Sequence, residues 1–82
     1  MTFIQGIVSV KNVSGSTYTI EEIDYTMQDQ EVVNLMETGL PNHYEDWEAA
    51  KRLVTELTTA KLYQDIQAGD VEIDEIKEPI GM

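Results

Sequence analysis

Few side chains in this sequence have a type and spacing suited to chemistry. The chain has no cysteine and one histidine, His43, which lies near the expected start of a helix. No serine lies in a nucleophile-elbow pattern, and Ser14-Gly15-Ser16 lacks the lysine, the spacing and the following helix of a phosphate-binding loop. A solvated or capping role for His43 and a plain turn at residues 14–16 are therefore favoured, and we predict that the protein is not an enzyme.

The remaining side chains that could bind a metal or take part in a reaction are carboxylates. Asp70, Glu72 and Asp74 alternate, which in a strand places three carboxylates on one face, and hard cations such as calcium prefer oxygen ligands. The segment lacks the glycine and the distant glutamate of a calcium loop, and acidic residues on an edge strand also discourage unwanted strand pairing. We therefore predict a solvated strand edge, with no metal and no cofactor.

Composition limits the function further. The 82 residues include 16 acidic and 5 basic residues, a formal net charge of -11. This charge repels nucleic-acid phosphates and anionic lipid surfaces, and no run of about 18 apolar residues is present, so we predict no direct nucleic-acid or membrane partner. Two interpretations of the charge stay open: it provides solubility, or its carboxylates imitate the phosphates of DNA.

The first half of the chain is rich in alternating apolar residues. This pattern predicts antiparallel strands near residues 3–13, 17–23 and 31–36, arranged as a meander. The small residues Ser14-Gly15-Ser16 predict a β-hairpin turn between the first two strands, with Gly15 at a positive φ angle. The clearest boundary is Gly39-Leu40-Pro41-Asn42, because glycine and proline interrupt both strands and helices.

Helical spacing follows this boundary and predicts two helices. They are expected near residues 43–57 and 59–68, with a break at Thr58-Thr59. Asn42 is the predicted N-cap of the first helix, and Gly69 the predicted end of the second. Trp47, the only tryptophan, lies on the apolar stripe of the first helix and is predicted to be mostly buried.

A last strand is expected at residues 71–76. The predicted fold class is therefore α+β, a small antiparallel sheet of three to four strands packed by one long or two short helices. At this length we expect one domain, residues 1–76, followed by a C-terminal tail, residues 77–82.

Three segments of the chain, VKNVSGSTYTIEEI, EVVNLM and LYQDIQAGDVEI, resemble small proteins encoded among the structural genes of tailed bacteriophages. The resemblance covers roughly residues 8–76, and Lys11-Asn12-Val13-Ser14-Gly15-Ser16 and Ala68-Gly69-Asp70 match best. The segment PNHYEDWEAAKRLV departs from the pattern. The resemblance implies a virion protein, made in the host cytoplasm, such as a capsid decoration or cement protein or a head-to-tail or tail adaptor. Its implied partners are phage capsid or tail proteins, or further copies of this chain.

A protein that assembles in this way exposes apolar side chains for its partners to cover. The candidates lie on the second face of the first strand, near the helices and in the tail: Phe3, Ile7, Val13, Tyr44, Tyr63, Ile80 and Met82. For the two tyrosines, packing in the core is the alternative interpretation.

The alternative function is an acidic phage-encoded inhibitor that imitates DNA and blocks a host defence nuclease. This function requires carboxylates along one continuous face, whereas the sequence spreads them from Asp24 to Glu78. A small enzyme or metal-binding module is a third alternative, which a metal titration would test.

Overall fold

The computed structural model describes residues 3–81, and it confirms the α+β fold class. The strands are β1 (Phe3–Ile4), β2 (Ile7–Asn12), β3 (Tyr18–Ile20), β4 (Tyr25–Met27), β5 (Val32–Asn34), β6 (Val71–Lys77) and β7 (Ile80–Gly81). The helices are α1 (Trp47–Thr55) and α2 (Lys61–Ala68), and a 3₁₀ turn at Glu21–Ile23 separates β3 from β4.

Strand β2 is the centre of the main sheet. It pairs antiparallel with β5 on one side and with β6 on the other. Strands β3 and β4 form a separate antiparallel hairpin. The predicted meander is therefore wrong, because the second strand pairs with the segment that follows it and not with β2.

The predicted hairpin turn at Ser14-Gly15-Ser16 is wrong for a physical reason. The backbone of Asn12 is already paired with residues 30 and 31: its N–H donates to the Glu31 carbonyl, and its carbonyl accepts from Gln30 N–H, both at 2.9 Å. The place beside the end of β2 is therefore occupied by the chain that leads into β5. Gly15 does adopt a positive φ, 88°, as predicted.

Helix α1 begins at Trp47, later than predicted. Asp46, and not Asn42, is its N-cap, and the Asp46 side chain accepts a hydrogen bond from the Glu48 N–H at 3.0 Å. The preceding segment is held outside the helix because the Tyr44 N–H donates to the carbonyl of Leu35 at 2.8 Å.

The other helix boundaries follow the sequence closely. A break separates α1 from α2 at residues 56–60, which confirms the predicted interruption. Gly69 ends α2 with a φ of 93°, and its N–H donates to the Ile66 carbonyl at 3.2 Å. This left-handed conformation is the one for which glycine is preferred at helix ends.

The core lies between the main sheet, the β3–β4 hairpin and the two helices. Trp47 is only 9% exposed, which confirms its predicted burial. The other buried apolar residues are Val8, Val10, Ile20, Ile23, Met27, Val33, Leu35, Met36, Ala50, Leu53, Val54, Leu62 and Val71.

The two ends of the described chain pair with each other. In the β1–β7 pair Ile4 is opposite Ile80, and in the β2–β6 pair Ile7 is opposite Lys77. The two pairs therefore have the same register, and β1–β7 continues the ladder of β2–β6. The ladder is interrupted at residues 5–6 on one strand and 78–79 on the other. The segment predicted as a tail thus contains a paired strand.

Candidate binding surfaces

The predicted interface residues lie in different environments. Ile80 is 44% exposed, whereas Ile7, Val13 and Tyr63 are half-buried. Tyr44 is also half-buried and packs against the core. Phe3 belongs to β1, but its side chain falls outside the described part of the structure, and Met82 lies outside the described residues altogether.

Sequence reasoning missed three other exposed apolar side chains, Val32 (47%), Leu57 (48%) and Ile73 (38%). Val32 and Ile73 belong to β5 and β6, the two edge strands of the main sheet. Leu57 falls within the range predicted for the first helix, residues 43–57, but α1 ends at Thr55, so Leu57 lies beyond it.

Strand β6 offers an open sheet edge. Among the described strands it pairs with β2 alone, and residues 72–75 along it are exposed. A bulge interrupts it: Ser9 is opposite Glu75 and Val10 is opposite Ile73, so Asp74 has no partner on β2. Bulges and charged side chains hinder the pairing of an edge strand with unrelated strands. We therefore expect β6 to pair only with a strand whose shape and charge complement it.

The bulge also ends the predicted alternation of carboxylates. Glu75, and not Asp74, continues the ladder after Ile73, and Asp70 precedes the strand. Residues 3–81 contain no group of three or more histidine, aspartate or glutamate side chains placed to hold a metal ion.

A second surface lies where the terminal ladder is interrupted. There a cleft of about 300 Å³, here called the terminal cleft, is lined by Gly6, Met36, Trp47 and Pro79. The Trp47 Nε1–H donates to the Ile7 carbonyl at 3.3 Å, and a Cβ at Gly6 would lie 2.3 Å from Trp47 Cδ1. The indole therefore has a fixed position against the backbone of the first strands.

The rim of the terminal cleft is acidic. Glu45, Asp46, Glu48 and Glu78 line it, all are exposed, and no lysine or arginine is among the lining residues. The Asp46 side chain caps α1, and Glu45 Oε1 lies 3.9 Å from His43 Nε2. The cleft thus combines an apolar floor with an acidic rim, and the one basic group near the floor among the described contacts is Lys51, whose Nζ lies 5.3 Å from the centre of the Trp47 ring.

The titratable cluster of Tyr18, Lys61 and Asp65 joins β3 to α2. The Tyr18 hydroxyl donates to Asp65 Oδ2 at 2.5 Å, and Lys61 Nζ lies 2.9 Å from the same oxygen. Burial, followed by the bond to Asp65, raises the pKa of Tyr18 far above its ordinary value. Burial opposes ionisation of Asp65, but the bonds from Tyr18 and Lys61 lower its pKa overall. The cluster therefore fixes the hairpin to the helix.

Ser14 and His43, the side chains considered for catalysis, have the following contacts. The Ser14 hydroxyl donates to Asn12 Oδ1 at 2.8 Å within the turn. His43 Nε2 is 3.9 Å from Glu45, too far for a hydrogen bond. Within the described part of the chain, neither side chain has a hydrogen bond to a group of the kind that activates a nucleophile or a general base.

Comparison of the chain with family models, with curated proteins and with solved structures gives no match. Neither of the described helices has the length and apolar character needed to cross a membrane.

Proposed function

We propose that this chain is a non-enzymatic structural protein of a tailed-bacteriophage virion, acting by stoichiometric binding to other virion proteins. The sequence resemblance between residues 8 and 76 supplies the phage context. The proposed setting is the head, neck or tail, where capsid decoration proteins and head-to-tail or tail adaptors act.

The observation that carries the proposal is the open edge of β6. An extended segment of another protein can add to such an edge through backbone hydrogen bonds, with side chains on alternate positions giving specificity. Ile73, exposed on β6, and Ile80, exposed on the strand that continues the same ladder, provide apolar contacts near this edge.

Charge favours a different protein as the partner at this edge. If two copies paired through β6 in antiparallel register, the carboxylates of Glu72, Asp74 and Glu75 would approach the same residues of the other copy. Like charges opposite each other destabilise strand pairing. A capsid or tail subunit that presents a neutral or basic strand avoids this repulsion.

Incorporation into particles tests the role of the edge. We expect Ile73→Asp to reduce the copy number of the chain in purified virions about tenfold or more, because an added carboxylate must be desolvated in the contact. Leu57→Asp is the matched control, since Leu57 is exposed to a similar degree but lies beyond α1, and it should be incorporated normally.

Thermal unfolding of both variants separates misfolding from loss of binding. Equal incorporation of two folded variants would contradict the role of β6. Absence of the unmodified chain from particles, together with tight binding to a host nuclease, would replace the structural function with the DNA-imitating one.

A further inference from the structure

The terminal cleft is formed by specific features of the chain ends. The antiparallel ladder keeps one register from Ile4 and Ile80 to Ile7 and Lys77, yet it is open between these pairs. Pro79 has no N–H to donate to the ladder. At Gly6 the Trp47 indole lies where a Cβ atom would otherwise be. The interruption leaves a gap, and the start of α1 borders it through Trp47 and Glu48.

The floor and the size of the cleft suit one long side chain. Met36 and Trp47 belong to the core and are fixed, so the floor is already formed before anything binds. A volume of about 300 Å³ is at the lower limit for ligand pockets. The aliphatic stem of an arginine or lysine fits such a floor, because these side chains pack their stems on apolar surface while the charged end remains polar.

The charge of the rim selects the occupant. Glu45, Glu48 and Glu78 are exposed at the cleft and are not paired with lysine or arginine within the described residues. Arginine binds carboxylates through a planar set of donors and also stacks on aromatic rings. A second copy of this chain is a poor occupant, because its net charge of -11 repels the rim.

From this geometry we propose that the terminal cleft binds a basic, extended segment of a partner protein. An arginine or lysine of that segment lies over Met36 and Trp47, and its charge lies among Glu45, Glu48 and Glu78. This inference rests on the proposed function only in that the chain acts by binding proteins. It adds a second contact, distinct from the β6 edge, and gives the chemistry of the partner.

Tryptophan fluorescence tests the proposal directly, because Trp47 is the only tryptophan and lies in the floor of the cleft. The probes are the peptide Ac-Gly-Leu-Arg-Leu-Arg-Gly-amide, the same peptide with glutamate in place of arginine, and spermidine. We expect a saturable change in emission with the arginine peptide only, and weaker binding as the salt concentration rises.

Two matched double variants locate the binding site. Glu45→Gln with Glu78→Gln removes two charges from the cleft and should weaken binding about fivefold or more, as expected for two partly exposed ion pairs. Glu72→Gln with Glu75→Gln removes the same charge from β6 and should change binding less than about twofold, since screening limits the effect of distant charges.

Four results would overturn the inference: no saturable response, equal binding of the glutamate peptide, an equal response to spermidine, or equal weakening by both double variants. Peptide binding to a chain that is absent from virions would reject the proposed function alone. Normal incorporation of the chain without any peptide binding would reject the cleft alone.

Discussion

The indole of Trp47 lies directly against the backbone of Gly6, so closely that a methyl group at Gly6 would be 2.3 Å from Cδ1 of the ring. This contact joins the start of α1 to the point where the terminal ladder is interrupted. It fixes the floor of the terminal cleft and connects the paired chain ends to the core.

We expect Gly6→Ala to lower the free energy of unfolding by about 1–3 kcal/mol, because the indole or the strand must move to admit the methyl group. Gly39→Ala is the control, since a Cβ there meets nothing within 4 Å. Its effect should stay within about 0.5 kcal/mol, as is usual for surface substitutions. Equal unfolding energies for the two variants in urea would contradict the contact.

We expect Trp47→Ala to destabilise the protein by about 3–5 kcal/mol, because it leaves a large cavity in the core. Leu57→Ala removes a side chain that is 48% exposed and should cost less than about 1 kcal/mol. Chemical denaturation measures both. A loss below about 1 kcal/mol for Trp47→Ala would mean that the indole serves a partner surface instead of the core.

Asn12→Ala should cost about 1–3 kcal/mol, because it leaves buried polar groups without partners. The fully buried Asn12 amide donates to the carbonyls of Ser16 and Gln28, at 2.7 and 3.0 Å, and its oxygen accepts from Ser14 N–H. The exposed Asn42 is the matched control, and Asn42→Ala should be nearly neutral. Similar melting temperatures for the two alanine variants would disagree with this account.

Alkaline pH should destabilise the protein through Tyr18. Its pKa in the folded state lies above the ordinary value of 10.0, so its contribution to stability is complete below that pH and is lost progressively as the pH rises above it. Tyr18→Phe removes this group, and we expect a shallower fall in unfolding free energy above about pH 10 than in the unmodified protein. Equal slopes for the two proteins would exclude this linkage.

Local patterns predicted much of the fold. The α+β class, the break between the helices, the burial of Trp47, the positive φ of Gly15 and the end of α2 at Gly69 all depend on residues near one another in the chain. The start of α1 was wrong because the bond from Tyr44 to Leu35 comes from a distant segment.

The strand order was also set by contacts that no local pattern reveals. The alternating pattern predicted that residues 17–23 pair with β2. Instead, the backbone of Asn12 bonds to residues 30 and 31, and β5 takes the place beside β2. The terminal cleft depends on the register between the two chain ends, on Gly6 and on Trp47 together. Its acidic residues were visible in the sequence, but their common location was not.

The central claim is that the chain is a virion component, and the copy number of the chain in particles tests it most directly. Particles purified by density gradient from the encoding phage can be analysed by quantitative mass spectrometry, with the major capsid protein as the internal reference. We expect a fixed ratio to the capsid protein that is the same in independent preparations and survives a salt wash. Absence of the chain from the particles, or a ratio that falls with each purification step, would contradict the claim.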